Sequence, residues 1–217
     1  MKYFWLILIC TGISACQNTY QFQEGDLFFQ DLDSSPLCDA IELVTPGHQG
    51  SAFSHIGMLV KINGDWRILE ALPPKVLTTS VDSFLSRSFD TDGNPKVIVG
   101  RLEYLNKTQK QEVCQYAIKQ IGMPYDDSFL IDNERYYCSE LIQEAYSKID
   151  SQLFPLEPMT FLNPVDKDTL DIWEKYYKAL NTSIPEGELG INPGLMSISL
   201  NIKIVHLYGN PDGYQAQ

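Results

Sequence analysis

The sequence predicts an α+β domain, in which strands and amphipathic helices share one core. The evidence for strands is a hairpin, in which an apolar run over residues 56–62 meets the turn sequence Asn63-Gly64-Asp65 and a returning strand at 66–71. The evidence for helices is an apolar stripe at spacings of three and four after Ser139, with another between Asn106 and Gln120. With 44% hydrophobic and 20% charged residues, the 217-residue chain suits one globular domain.

The other predicted elements are shorter and are bounded by proline, glycine or serine. A helix is expected after Ser34-Ser35-Pro36, because serine can cap a helix and proline is tolerated in the first turn. Thr108 and Gln111 fit a capping box for the helix that ends before Gly122. Further strands are expected at residues 25–29, 75–80, 97–102 and 200–207, and a further helix at 168–180.

The N-terminal residues have the pattern of an export signal. A positive start at Met1-Lys2 precedes an apolar run that is too short to span a bilayer as a mature helix. Ile13-Ser14-Ala15-Cys16 resembles a bacterial lipobox, which implies cleavage before Cys16 and attachment of a lipid to its thiol. We therefore expect a signal peptide at 1–15 and a lipidated tether at 16–24. The mature protein would be anchored to a membrane of the cell envelope, in the periplasm or at the outer membrane; an uncleaved signal anchor is the alternative.

The charge balance argues against a nucleic-acid partner. The whole chain carries −12, and removal of residues 1–15 takes away one lysine, which leaves 15 basic against 28 acidic residues, or −13. An acidic surface repels phosphate backbones.

Three cysteines remain after the two of the signal and anchor, Cys10 and Cys16, are set aside. An odd number in an exported protein leaves at least one thiol unpaired within the chain, and the sequence does not decide whether Cys38 and Cys114 form a disulfide. The sequence has no CxxC or HExxH pattern, and its three histidines are scattered. We therefore expect no metal site and no cofactor.

Cys138 is the first candidate nucleophile, because it comes at the start of the helix after Ser139. Unpaired N–H groups and the helix dipole at that end stabilise a thiolate. Cys38 lies in the first turn of its own predicted helix, so the same argument keeps it as a rival. A small buried hydrophobic residue is the alternative interpretation of Cys138.

His55 and Glu70 are the candidate partners of the thiol. His55 opens the first strand of the hairpin, and symmetric pairing about Asn63-Gly64 brings residues near 70 opposite residues near 57. A glutamate beside an apolar strand needs a partner if it is buried, and His55 is a suitable one. A structural histidine and a solvated glutamate are the alternatives, while His48 and His206 have no acidic residue so placed.

Five segments, in this order along the chain, resemble the YiiX/YebB-like family, a branch of the circularly permuted NlpC/P60 papain-like cysteine hydrolases. They are Gly25-Asp26-Leu27-Phe28, Ser54-His55-Ile56-Gly57-Met58, Leu69-Glu70-Ala71, Tyr125-Asp126 and Tyr136-Tyr137-Cys138-Ser139-Glu140-Leu141. The resemblance implies a single domain over residues 25–210, with an antiparallel sheet packed against the nucleophile helix. Permutation explains why the histidine precedes the cysteine.

The same resemblance implies roles for individual residues. Cys138 would be the nucleophile, His55 the base and Glu70 the orienting residue, whereas Cys38 matches no family motif. Asp26, Tyr125 and Tyr137 would belong to the substrate pocket, although aspartate is also a common turn residue and tyrosine a common core aromatic.

The implied activity is acyl transfer through a thioester, in an exported cysteine hydrolase of the peptidase or amidase type. The expected substrate is a small peptide, amide or acyl compound, first of all an amide bond of peptidoglycan or a related amide. A lipid or acyl hydrolase, an acyltransferase and a catalytically silent binding lipoprotein are the alternatives, because fold alone does not choose among them.

Overall fold

The computed structural model describes residues 20–165 and 170–216. Its main sheet has six antiparallel strands in the order β4-β3-β2-β1-β5-β8, and β6 pairs with β7 in a separate ribbon. The elements are β1 Leu27–Gln30, α1 Pro36–Val44, β2 His55–Ile62, β3 Asp65–Leu72, β4 Lys75–Ser80, α2 Val81–Leu85, β5 Val97–Arg101, α3 Lys107–Lys119, α4 Cys138–Ser147, β6 Glu157–Pro158, α5 Asp171–Ala179, β7 Leu189–Gly190, α6 Pro193–Ser197 and β8 Lys203–Leu207.

The hairpin of β2 and β3 confirms the register that the sequence predicts. Asn63 and Gly64 both have positive φ, 53° and 93°, as a type I′ turn requires. Met58 lies opposite Leu69, so Glu70 follows beside the start of β2. The turn therefore brings the glutamate to the end of the hairpin where β2 begins with His55.

The sheet has a hydrophobic core on each face. Leu27 and Phe29 of β1 point into the larger core, which α3 and α4 cover, while Phe28 between them points into the smaller one. Phe84 of α2 also belongs to the smaller core. Gly57 permits its approach, because a Cβ there would lie 3.2 Å from the Phe84 ring and 2.3 Å from Ile68.

The helices begin close to where the sequence predicts them, with one wrong cap. At α3 the N-cap is Asn106, whose side chain accepts the N–H of Gln109 at 3.0 Å and whose own N–H donates to the Gln109 side chain at 3.0 Å. The predicted pair, Thr108 and Gln111, is two residues too late. Asparagine is the stronger cap, so the helix takes the earlier start.

The chain before β1 differs from the expected tether. Tyr20 and Phe22 pack against the smaller core, and Tyr20 stacks on His206 with ring centroids 4.8 Å apart. Residues 20–24 therefore adjoin the domain. The predicted signal peptide at 1–15 and the lipidation site Cys16 lie outside the described residues.

The C-terminal part packs around a small aromatic cluster. Trp173 and Tyr177 of α5 contact Phe161 and Ala40 of α1. α5 falls within the predicted helix 168–180, of which residues 168 and 169 lie outside the described part. β8 is shorter than the predicted strand 200–207. Among the helices of residues 20–165 and 170–216, none is long and apolar enough to cross a bilayer.

Candidate active site

Cys138 is the first residue of α4, as the sequence predicts, and its side chain is almost buried. The helix forms here because Leu141, Ile142 and Ala145 all turn into the larger core. Glu140 closes the first turn by accepting the Tyr137 N–H at 3.3 Å. The sulfur therefore lies at the positive end of the helix dipole, beside N–H groups that have no intrahelical partner.

His55 connects the thiol to the hairpin. Its Nε2–H donates to Glu70 Oε2 at 2.7 Å, which leaves Nδ1 for Cys138. Burial lowers the pKa of His55, but hydrogen bonds to Cys138 and Glu70 outweigh burial and raise that pKa to about 9. The ring is thus an imidazolium at neutral pH, between a sulfur and a carboxylate.

Glu70 is buried, and four hydrogen bonds fill its two oxygens. Besides His55, Arg87 donates to Oε2 at 2.7 Å and to Oε1 at 2.6 Å, and the Thr79 hydroxyl donates to Oε1. Burial alone raises the pKa of Glu70, but the hydrogen bonds of Arg87 and then of His55 lower it to about 2. The carboxylate is therefore charged throughout the neutral range.

Arg87 is the residue that sequence reasoning missed. It lies in the segment after α2, in residues 82–95, for which the sequence predicts only loop and short helix and no functional residue. The available signal was chemical, since a buried glutamate that orients a histidine needs a second cation or donor for its other oxygen. Sequence spacing does not say which of the chain's arginines supplies it.

A cavity of about 460 Å³ opens onto the thiol and the imidazole. Its wall is mainly apolar and includes Leu37, Ile41, Phe129, Met159, Trp173 and Ile191. Among the described residues that line it, Glu157 is the one carboxylate. The cavity can therefore hold an uncharged, largely apolar group next to Cys138.

Tyr125 and Tyr137 both line this cavity, but in different ways. Burial, and after it the charge of Cys138, raise the pKa of Tyr125 well above its usual value. Its hydroxyl therefore stays neutral in the cavity that Cys138 also lines. The Tyr137 hydroxyl accepts the Ile191 N–H at 3.1 Å, so Tyr137 holds the cavity wall just after β7.

The structure does not bring Asp26, which the sequence assigns to the substrate pocket, to the described cavity. Arg101 donates to its two oxygens at 2.6 and 2.8 Å, and the Tyr20 hydroxyl donates at 2.6 Å. Asp26 is fully buried and is absent from the described cavity wall. Asp26 lies just before β1 and pairs with Arg101 of β5. This structural role needs an acidic residue, as a substrate contact would, so the residue type alone does not distinguish the two roles.

The three cysteines of the described residues are free thiols, so the possible disulfide between Cys38 and Cys114 is not formed. Cys114 is buried in the larger core, where burial raises its pKa to about 12. Cys38 does line the cavity, but its sulfur contacts the hydroxyls of Ser34 and Ser35 at 3.4 and 3.5 Å. It therefore lacks an imidazole partner of the kind that Cys138 has.

One acidic group among the described residues has the spacing of metal ligands. Carboxylate oxygens of Asp31, Asp33 and Asp212 lie within 4.8 Å of one another. The Lys96 ammonium lies 3.4, 2.8 and 3.1 Å from the three. A cation of the chain itself therefore already neutralises this group.

Comparison with known proteins identifies the family to which the chain belongs. The family model of permuted papain-like amidase enzymes, the YaeF/YiiX or C92 family, matches residues 21–205. The uncharacterized protein YiiX of Escherichia coli K12 is 32% identical over 142 residues, which span 65% of each chain. A crystal structure of the protein described as metalloprotein YiiX from Escherichia coli O157:H7 has a TM-score of 0.71 and 28% identity, covering 88% of this chain and 100% of that one. The chain therefore belongs to the permuted papain-like amidase family.

Proposed function

We propose that this protein hydrolyses an amide bond through Cys138, His55 and Glu70. The observation that carries the proposal is the continuous chain of contacts from the sulfur through the imidazole to a charged, buried carboxylate, at the wall of a cavity. Such a chain holds the imidazole in one orientation and stabilises its protonated form.

The reaction has two steps. The Cys138 thiolate attacks the carbonyl carbon, and the tetrahedral intermediate expels the amine, which takes the proton of the His55 imidazolium. This leaves a thioester on Cys138 and a neutral imidazole. His55 then takes a proton from water, the hydroxide attacks the thioester, and the carboxylic acid leaves as the thiolate is restored.

Two donors are available for the oxyanion of the intermediate. Backbone N–H groups at the start of α4 lie beside Cys138, and the neutral hydroxyl of Tyr125 belongs to the same cavity. Both are fixed before the charge develops, as electrostatic catalysis requires.

The cavity supports a substrate that carries an apolar acyl group. A peptidoglycan stem peptide presents charged and polar groups, which the apolar wall beside Cys138 does not complement. An N-acyl amide places its chain in the cavity and its carbonyl at the thiol. The same wall favours a second candidate, transfer or hydrolysis of the acyl group of a lipid ester.

A trapping experiment tests the chemistry. The protein is incubated with N-acyl amino acids of short, medium and long chain, with phospholipid and with peptidoglycan fragments, then quenched in acid for intact-mass analysis. We expect an acyl adduct on Cys138 from the N-acyl amides and none in Cys138→Ala. Adducts from phospholipid alone would select the second candidate. Full turnover by Cys138→Ala would overturn the scheme, and absence of turnover with every substrate would favour a binding protein.

We propose further that the protein is exported and lipid-anchored through Cys16, since residues 1–16 have the pattern of a signal peptide and lipobox. Cell fractionation with radiolabelled palmitate tests this. We expect label and membrane association in the unaltered chain, and neither in Cys16→Ser. Unlabelled, unprocessed protein in the cytosol would contradict it.

The description of the YiiX relative as a metalloprotein does not extend to a metal-dependent step here. Of the described residues, the group with suitable spacing is Asp31, Asp33 and Asp212, and a divalent ion there would have to displace the bound Lys96 ammonium. Those residues do not fit a metal, and the proposed chemistry uses none.

A further inference from the structure

The site contains a cation, Arg87, that is not part of the chain of contacts from Cys138 through His55 to Glu70. Arg87 reaches Glu70 from the segment between α2 and β5, whereas His55 and Glu70 lie on adjacent strands of one hairpin. Its guanidinium forms a two-bond fork with the carboxylate, and its side chain is about 23% exposed. A fork of this kind fixes a carboxylate in one plane, which a single hydrogen bond does not.

Arg87 is itself held in place by the group that packs on the histidine. The guanidinium lies over the Phe84 ring, with Cζ 5.0 Å from the ring centroid. The same ring packs against the His55 ring, with centroids 5.8 Å apart. Phe84 therefore supports both charged partners of Glu70, and the arginine, carboxylate and imidazole form one packed unit.

We propose that Arg87 is a positioning residue of this site, whose guanidinium fixes both oxygens of Glu70 and sets the pH range over which Cys138 is reactive. The inference rests on the proposed function, since it assigns a second task to the same site.

The physical reason is that His55 and Arg87 share the negative charge of the Glu70 carboxylate. Glu70 Oε2 accepts from both His55 and Arg87, so the two cations compete for one anion. Without Arg87, the carboxylate would stabilise the imidazolium more strongly, and a nearby positive charge would be lost. Loss of a cation favours the protonated form of every titratable group around it.

The interpretation of a pH titration of His55 or Cys138 depends on the titratable groups that surround them. The full set is His55 from β2, Glu70 from β3, Arg87 from the segment after α2, Cys138 from α4 and Tyr125 from the loop before α4. Thr79 of β4 adds an uncharged hydroxyl. Arg87 is thus the permanent cation among these groups. Its removal moves the titration midpoints of the neighbouring groups in one direction, towards higher pH.

The test needs no substrate. The alkylation rate of Cys138 with iodoacetamide is measured against pH in the full chain, with peptide mass spectrometry to separate Cys138 from the other cysteines. The His55 ring is titrated in parallel by NMR on histidine-labelled protein. Arg87→Gln keeps hydrogen-bond donors but removes the charge, and Arg87→Lys keeps the charge but removes the fork. Arg101→Gln is the matched control, because Arg101 forms an equivalent fork with buried Asp26.

We expect both midpoints to move up by roughly half a unit to one unit in Arg87→Gln. They should move by less than half of that in Arg87→Lys and not at all in Arg101→Gln. In a separate measurement, on a substrate that the trapping experiment identifies, turnover should fall by roughly 10- to 100-fold in both Arg87 variants, because the imidazole loses its fixed orientation.

The outcomes separate the two proposals. A wild-type alkylation profile identical to that of His55→Ala would overturn the catalytic scheme and this inference with it. A His55-dependent profile that Arg87→Gln leaves unmoved would overturn only the role of Arg87. If Arg87→Gln does not fold, Arg87→Lys decides, since a shift as large as one unit there contradicts a role for the charge.

Discussion

Two buried ion pairs in this protein are built alike and serve different ends. Glu70 and Asp26 are both fully buried, and each is bound by an arginine fork with distances of 2.6 to 2.8 Å. Both carboxylates lie next to the central sheet, Glu70 on β3 and Asp26 just before β1. Burial, partner type and geometry therefore do not distinguish them.

The third partner distinguishes them. Asp26 is completed by the Tyr20 hydroxyl and the Gln23 N–H, which close the pair off within the fold. Glu70 is completed by His55, whose ring reaches the cavity and Cys138. An arginine–carboxylate pair is thus a structural part in one place and the support of a reactive imidazole in the other.

The largest expected effect comes from neutralising each carboxylate. Glu70→Gln should lower turnover per folded molecule by roughly 10³-fold, because a neutral amide neither holds the imidazole's proton nor stabilises its charge. Asp26→Asn should leave turnover per folded molecule unchanged but destabilise the fold by about 3 to 5 kcal/mol, since it leaves Arg101 without its counter-charge.

Turnover and urea unfolding, measured on both variants, check this pair of predictions. The fraction folded is determined for each sample by circular dichroism before the rate is normalised. Equal losses of turnover in the two variants would remove the distinction between the pairs.

A second contrast uses the tyrosines beside the two sites. Tyr125→Phe should lower turnover by roughly 10- to 100-fold with little change in stability, because it removes one donor to the oxyanion. Tyr20→Phe removes a hydrogen bond to a charged group and should cost about 1 to 3 kcal/mol without a change in turnover. Steady-state rates and thermal melts of the two variants distinguish these outcomes; a loss of stability alone in Tyr125→Phe would make it a core aromatic.

The sequence predicts the hairpin, the start of α4 and the approach of Glu70 to His55, because each depends on local turn chemistry or periodicity. It does not separate Asp26 from Glu70, since both are acidic residues beside apolar strands. Arg87 and Arg101 reach their carboxylates from 17 and 75 positions away, and long-range partners of this kind leave no periodic signal. The sequence segment that contains Asp26 resembles a family motif, but the resemblance does not say whether the carboxylate contacts a substrate or pairs within the fold.

The pH dependence of stability gives a third test. The pKa of Glu70 lies near 2 instead of its usual 4.5, so its contribution is present above about pH 4.5 and is lost as the pH falls towards 2. The pKa of His55 is raised to about 9, so its contribution is complete below about pH 6.5 and is lost as the pH rises through 9. Unfolding free energies of wild type and Glu70→Gln should differ by roughly 3 kcal/mol at pH 5 to 6 and converge in acid. A difference that stays constant down to pH 2 would contradict the assignment.

The smallest expected effect concerns the two thiols that line the cavity. It tests whether the partner of a group, and not its position in the fold, determines its role. Cys38 and Cys138 both lie in the first turn of a helix and line one cavity, but two serine hydroxyls face Cys38, whereas an imidazole on a charged carboxylate faces Cys138. If the partner and not the helix end makes a thiol reactive, Cys38→Ser should keep turnover within about twofold of wild type, since serine preserves the size and hydrogen bonding of the side chain. Turnover and peptide-resolved alkylation near pH 6 measure this, with Cys138→Ser as the matched variant that should lose both. Faster alkylation at Cys38 than at Cys138 would assign reactivity to the helix end alone and would leave the buried ion pair of Glu70 without a catalytic reason.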